Sequence, residues 1–160
     1  MLRKIFFLLV LIPFTASGAG KGMLENCVNF EVGGLFGHTE YTAIDCESGR
    51  LYYVRAMAGS FTKYDEYKKA PLGESSLKKG VTVRVLQLSQ DEQAVIVSKI
   101  NGFTLKWKKS YINNDILDGI QWQLVVGCDG SNREYLGSNA FPENWGEFRA
   151  YLADLIELNQ

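Results

Sequence analysis

Residues 81–109, VTVRVLQLSQDEQAVIVSKINGFTLKWKK, constrain the fold more than any other part of this chain. Three apolar runs are separated by Gln90-Asp91-Glu92 and by Asn101-Gly102. Asn-Gly between apolar runs suits a two-residue type I′ turn, because both turn positions need positive φ. The pattern predicts a three-stranded antiparallel meander, with an Asn101-Gly102 hairpin as its most secure turn. In the first run Val81, Val83 and Val85 hold one phase and Leu86 and Leu88 the other, which predicts a bulge or sharp bend inside the strand. The middle run is apolar from Ala94 to Val97, as a strand covered on both faces would be. Phe103, Leu105 and Trp107 alternate with Thr104, Lys106 and Lys108, giving one buried and one wet face.

The N-terminus reads as an address. Arg3 and Lys4 precede an apolar run from Ile5 to Ile12, followed by the small residues Ala16, Ser17, Gly18 and Ala19. This is the layout of a secretory signal peptide, with Ser17-Gly18-Ala19 as the cleavage tripeptide and Ala16-Ser17-Gly18 as the alternative. The run is well short of the roughly 20 residues that a membrane-spanning helix needs. Residues 1–19 are therefore set apart as a signal peptide, and residues 20–160 form a single globular β-rich domain expected in a bacterial periplasm or secreted. No integral span is expected after cleavage. Without Arg3 and Lys4 the 17 basic residues fall to 15 against 18 acidic, a formal charge of −3, so nucleic acid is not an expected partner.

Cys27, Cys46 and Cys128 allow three single disulfides in an oxidising compartment. Cys27–Cys46 is favoured, because it closes a short loop and ties down the N-terminal part of the domain; Cys46–Cys128 is the rival. Cys128 shares the apolar phase of Ile120, Trp122, Leu124 and Val126, which is expected to point it inward.

Elsewhere, Tyr41 to Cys46 and Leu51 to Met57 predict a hairpin around Glu47-Ser48-Gly49-Arg50. Residues 59–80 show no strand pattern; Phe61, Tyr64 and Tyr67 recur at helical spacing there. Gly33-Gly34-Leu35-Phe36-Gly37 is expected to be a mobile turn, since a phosphate loop needs a following helix and usually a lysine. Pro142 suits the start of a helix on which Trp145, Phe148, Leu152, Leu155 and Ile156 line one face. The expected fold is mainly β, or α+β: a small antiparallel barrel with a C-terminal amphipathic helix.

Leu77-Lys-Lys-Gly-Val-Thr-Val-Arg-Val-Leu, then Ala94-Val-Ile-Val, Asn101-Gly102-Phe103 and Ser110-Tyr111-Ile112 resemble the bacterial SH3-like domain pattern. The resemblance covers residues 77–112. It implies a five- or six-stranded barrel and an envelope-associated binding role. Ala94 stands where that family often has Trp, so no binding residue is carried over.

The candidate chemistry is sparse. His38, the sole histidine, lies near Glu40, Asp45 and Cys46 in sequence, and a His38–Cys46 pair would place a base beside a thiol nucleophile. Cys46 is also the favoured disulfide partner, which would remove it. One histidine without ligand spacing does not make a metal site, and neither metal nor cofactor is expected. Tyr52, Tyr53, Phe61, Tyr64 and Tyr67 are the candidate binding residues, because tyrosine offers a large contact area with a polar tip. The residues favour a non-enzymatic binding protein of the cell envelope, engaging a protein or an envelope polymer. A secreted inhibitor or immunity protein, and a hydrolase built on the His38 region, are the alternatives.

Overall fold

A computed structural model of the chain describes residues 26–34, 37–57, 64–116, 118–127 and 132–157. Among these residues eight strands form one sheet in the order β4-β5-β3-β2-β1-β7-β8-β6. The strands are β1 (Asn26–Gly34), β2 (His38–Asp45), β3 (Arg50–Met57), β4 (Gly73–Lys78), β5 (Val81–Gln87), β6 (Ser110–Ile112), β7 (Ile120–Val126) and β8 (Arg133–Ser138). All neighbours are antiparallel except β6, which runs parallel to β8. Among the same residues are three helices: α1 (Tyr64–Tyr67), α2 (Gln90–Thr104) and α3 (Trp145–Glu157). The chain is thus mainly β with the expected C-terminal amphipathic helix, on which Phe148, Leu152 and Ile156 are buried. Residues 1–19, expected to be a signal peptide, and Phe61 and Cys128 lie outside the described residues.

The expected meander is corrected. Only its first run is a strand; residues 90–104, with Asn101 and Gly102 inside them, are helix α2. Ser89 and Glu92 decide this locally. The Ser89 hydroxyl accepts the Glu92 amide at 3.3 Å, and the Glu92 carboxylate accepts the Ser89 amide at 2.7 Å. This reciprocal box satisfies two of the donors that a helix start leaves open. Ile96, Ile100 and Phe103 then fall on one face at i, i+4 and i+7, with Ile96 and Ile100 buried. The segment that carried the SH3-like resemblance contributes the end of β4, then β5 and β6 with α2 between them.

The C-terminus of α2 is closed by tertiary contacts. Asn144 Nδ2 donates to Phe103 O at 3.0 Å, and its Oδ1 accepts from Trp107 Nε1 at 2.7 Å. Trp107 N donates to Thr104 O at 3.0 Å. The Trp107 ring meets Trp122, Tyr135 and Phe148 edge-on. Trp107, expected on a strand, instead pins the loop after α2 to the core.

Two hydrophobic clusters occupy opposite faces of the sheet. Val28, Phe30, Ile44, Leu51, Trp122 and Leu124 form the larger one with α2 and α3. Ala43, Tyr52, Val54, Val81, Val83 and Val85 form the second with Tyr67 and Ala70. This arrangement explains the phase change in β5. Val81, Val83 and Val85 belong to the second cluster, while Leu86 and Leu88 pack on the first. The β3–β5 register runs unbroken from Arg50↔Gln87 to Ala56↔Val81, so the expected bulge is absent there. The register shift lies in β4, between Ser76 and Lys78. That strand was not expected at all; it has one apolar side chain, Leu77, because it is an exposed edge.

The β2–β3 hairpin forms where expected. Gly49 takes φ 70°, and the Asp45 carboxylate accepts the amides of Glu47 and Ser48. Cys46 in this turn forms a disulfide with Cys27, with Cα atoms 5.6 Å apart.

Candidate functional site

Three elements meet over the end of the sheet. β1 finishes at Val32, Gly33 and Gly34, β2 begins at His38, and β7 begins at Ile120. Register places Val32 opposite both Glu40 and Trp122, and Gly34 opposite Ile120. Helix α3 crosses beside them and presents Arg149. The result is an open groove of about 360 Å³. Its floor is Val32 and the glycine backbone; its walls carry His38, Glu40 and Arg149 on one side and Asp118, Gly119 and Ile120 on the other. A Cβ on Gly33 would lie 2.5 Å from Thr39 Oγ1, so a side chain there would require Thr39 to shift. Ile120 is 47% exposed at the rim.

The polar wall is preorganised. Arg149 Nη2 donates to Glu40 Oε2, joining α3 to β2. The Arg149 guanidinium also lies 5.4 Å from the centroid of the Phe30 ring, a cation–π contact. The Tyr53 hydroxyl shares Glu40: burial, then the neighbouring Glu40 charge, holds its pKa above the ordinary 10.0, partly offset by Arg55 and Arg149. Glu40 is therefore held from two sides before any ligand arrives.

The cluster expected around His38 separates. His38 and Asp45 stand at opposite ends of β2, seven residues and about 23 Å apart at the usual strand rise. Cys46 lies beyond Asp45 and its sulfur is bonded to Cys27. A His38–Cys46 nucleophile pair is thereby excluded; of that cluster only His38 and Glu40 meet, in the groove. Among the described residues no group of three or more His, Cys, Asp and Glu side chains is gathered to hold a metal.

The tyrosines divide likewise. Tyr52 and Tyr67 are each 2% exposed and pack together in the second cluster, with centroids 5.2 Å apart, so neither presents a binding surface. Tyr67 donates to the Tyr41 hydroxyl at 3.1 Å, and Tyr41 to Asn29 Oδ1. Tyr64 opens α1. Tyr53 reaches the groove wall, through Glu40. Val32, Asp118, Ile120 and Arg149 were not anticipated. They come from three distant stretches of the chain, and nothing in their local sequence marks those stretches as neighbours.

A second depression of about 320 Å³ lies between α2 and α3. Leu51, Leu88, Val95, Ile96, Tyr151 and Leu155 line it, with Asp91 and Glu92 at the rim. Burial raises the Tyr151 pKa. No helix among the described residues is long and apolar enough to cross a membrane. Compared with known proteins, the chain matches no family model, no curated protein and no solved structure.

Proposed function

We propose that this is an exported, non-enzymatic binding protein of the bacterial envelope, which engages a protein or an envelope polymer at the groove beside Arg149. The observation that carries the reading is the Glu40–Arg149 wall: two charged groups fixed by each other, by Tyr53 and by Phe30, over a floor without long side chains. Preorganised polar groups above an apolar floor favour binding, because little side-chain freedom remains to be lost on association. The thiol that a nucleophilic mechanism would use is taken up in the Cys27–Cys46 bond. Export is supported by the basic, apolar and small-residue order of residues 3–19, and a disulfide suits an oxidising compartment.

Site-specific photo-crosslinking in intact cells tests the reading. Benzoylphenylalanine in place of Ile120, on the groove rim, is expected to give a discrete adduct in the periplasmic or secreted fraction, and Arg149→Glu is expected to weaken it. The same probe in place of Lys79, in the β4–β5 turn, is expected to give none. Equal adducts from both positions, or none from Ile120, would overturn it.

A further inference from the structure

We propose that the β6 edge of the sheet accepts an added strand from an acidic, extended segment of a partner protein. This surface is separate from the groove and does not depend on it.

The hydrogen-bond phase of β6 leaves its outer backbone open. Leu136 N donates to Lys109 O at 3.0 Å, and Asn113 N donates to Ser138 O at 2.9 Å. In a parallel ladder the inward-bonding residues alternate, so Lys109, Tyr111 and Asn113 face β8. The amide and carbonyl groups of Ser110 and Ile112 face away. β6 ends the strand order, and among the described residues no further strand covers it. Ser110 is exposed and Ile112 is 57% exposed. Ile112 shares a sheet face with Leu136, which is 41% exposed, so the open edge carries a short apolar stripe.

Charge chooses the partner. Lys106, Lys108 and Lys109 are exposed just before β6, and among the described residues none of them forms an ion pair. The loop that bears them is not slack. Trp107 is held by Asn144 and the aromatic core, and Lys108 N donates to Tyr111 Oη at 2.9 Å. The lysines are thus presented from a fixed turn. Glu134 of the adjacent strand is engaged by Gln123 Nε2 at 2.6 Å, and Asp115 lies in the turn beyond β6. Lysines beside a short edge discourage a second copy from pairing there, since like charges would meet. The same lysines favour an acidic strand, so repulsion and attraction select the same class of partner. An anionic lipid surface would satisfy the lysines, but it has no backbone amides to complete the edge.

The probe is an acetylated, amidated heptapeptide alternating valine and glutamate, with the valine–lysine peptide as control, against the folded mature protein. Backbone amide exchange at Ser110 and Ile112 is expected to slow, and the glutamate peptide to bind at least tenfold more tightly than the lysine peptide at low salt. The double variant Lys108→Glu, Lys109→Glu, both at exposed positions, is expected to reverse that preference. Replacing His38 with Ala is expected to leave it unchanged. Equal binding of the two peptides, protection elsewhere than β6, self-association in place of peptide binding, or binding to phosphatidylglycerol vesicles without peptide binding would each overturn the proposal.

Discussion

Arg149 on α3 and Glu40 on β2 are 109 residues apart in sequence and form an ion pair at the edge of the groove. Their side chains are 32% and 27% exposed, so water screens the pair only in part. The same guanidinium covers Phe30, which is 1% exposed in the main core. One side chain therefore serves helix docking, core coverage and groove shape.

From that geometry, a double-mutant cycle on Glu40→Gln and Arg149→Met is expected to give a coupling of about 1 kcal/mol, near the top of the range for partly exposed pairs. Urea denaturation of the four proteins measures it. Additive single effects would show that the pair contributes nothing beyond its separate parts.

Gly102 separates the two descriptions of residues 90–104. In helix α2 it has open space around it and no positive φ. Gly102→Ala is therefore expected to stabilise the protein by about 1 kcal/mol, the helix-interior difference between these residues. A type I′ hairpin at Asn101-Gly102 would instead need positive φ there, and alanine would destabilise it. Thermal unfolding followed by circular dichroism distinguishes the two by sign.

The Cys27–Cys46 bond links residues 19 apart. Loop-closure entropy gives such a crosslink about 3 kcal/mol of stabilisation. Dithiothreitol treatment is expected to lower the urea midpoint accordingly. Cys27 is 1% exposed, so a Cys27→Ala, Cys46→Ala protein is expected to lose somewhat more through packing. An unchanged midpoint on full reduction would refute the expectation.

Glu31 lies on β1, opposite Tyr41 and Gln123, and burial raises its pKa above the ordinary 4.5. The native state then holds the proton more tightly than the unfolded chain does. The stabilisation that this confers is present below the unfolded value and is lost as pH rises through the native one. Glu31→Gln removes the ionisation, so the variant is expected to be more stable than the parent at neutral pH, with the gap closing below about pH 4. Urea midpoints across that range measure it. A gap independent of pH would assign the effect to packing rather than charge.

Much of the architecture was legible where a short-range rule acts alone. The β2–β3 hairpin follows from Gly49 and its flanking apolar runs, and the register pairs Asp45 with Arg50 as that reading requires. Helix α3 follows from the spacing of Phe148, Leu152 and Ile156. Helix α2 was misread because two signals compete in one stretch. Asn101-Gly102 suggests a turn, whereas Ser89-x-x-Glu92 and the i, i+4, i+7 spacing of Ile96, Ile100 and Phe103 point to a helix. The capping box was present in the sequence, and it outweighs the Asn-Gly dipeptide, since a helix tolerates one exposed glycine for about 1 kcal/mol.

The sequence by itself therefore determined local matters: the hairpin at Gly49, the alternation of β7 and the apolar face of α3; it favoured the short Cys27–Cys46 loop over Cys46–Cys128, and the structure supplied the pairing. Each depends on residues close together or on a loop short enough to close easily. Tertiary structure decided the rest. Whether Tyr52 and Tyr67 are surface or core depends on which sheet face is covered, and β3 is covered on one face by the cluster that includes α2 and α3 and on the other by Tyr67 and Ala70. The groove depends on Val32, Glu40, Ile120 and Arg149 converging, and strand pairing and helix docking bring those positions together without leaving a periodic mark on the chain.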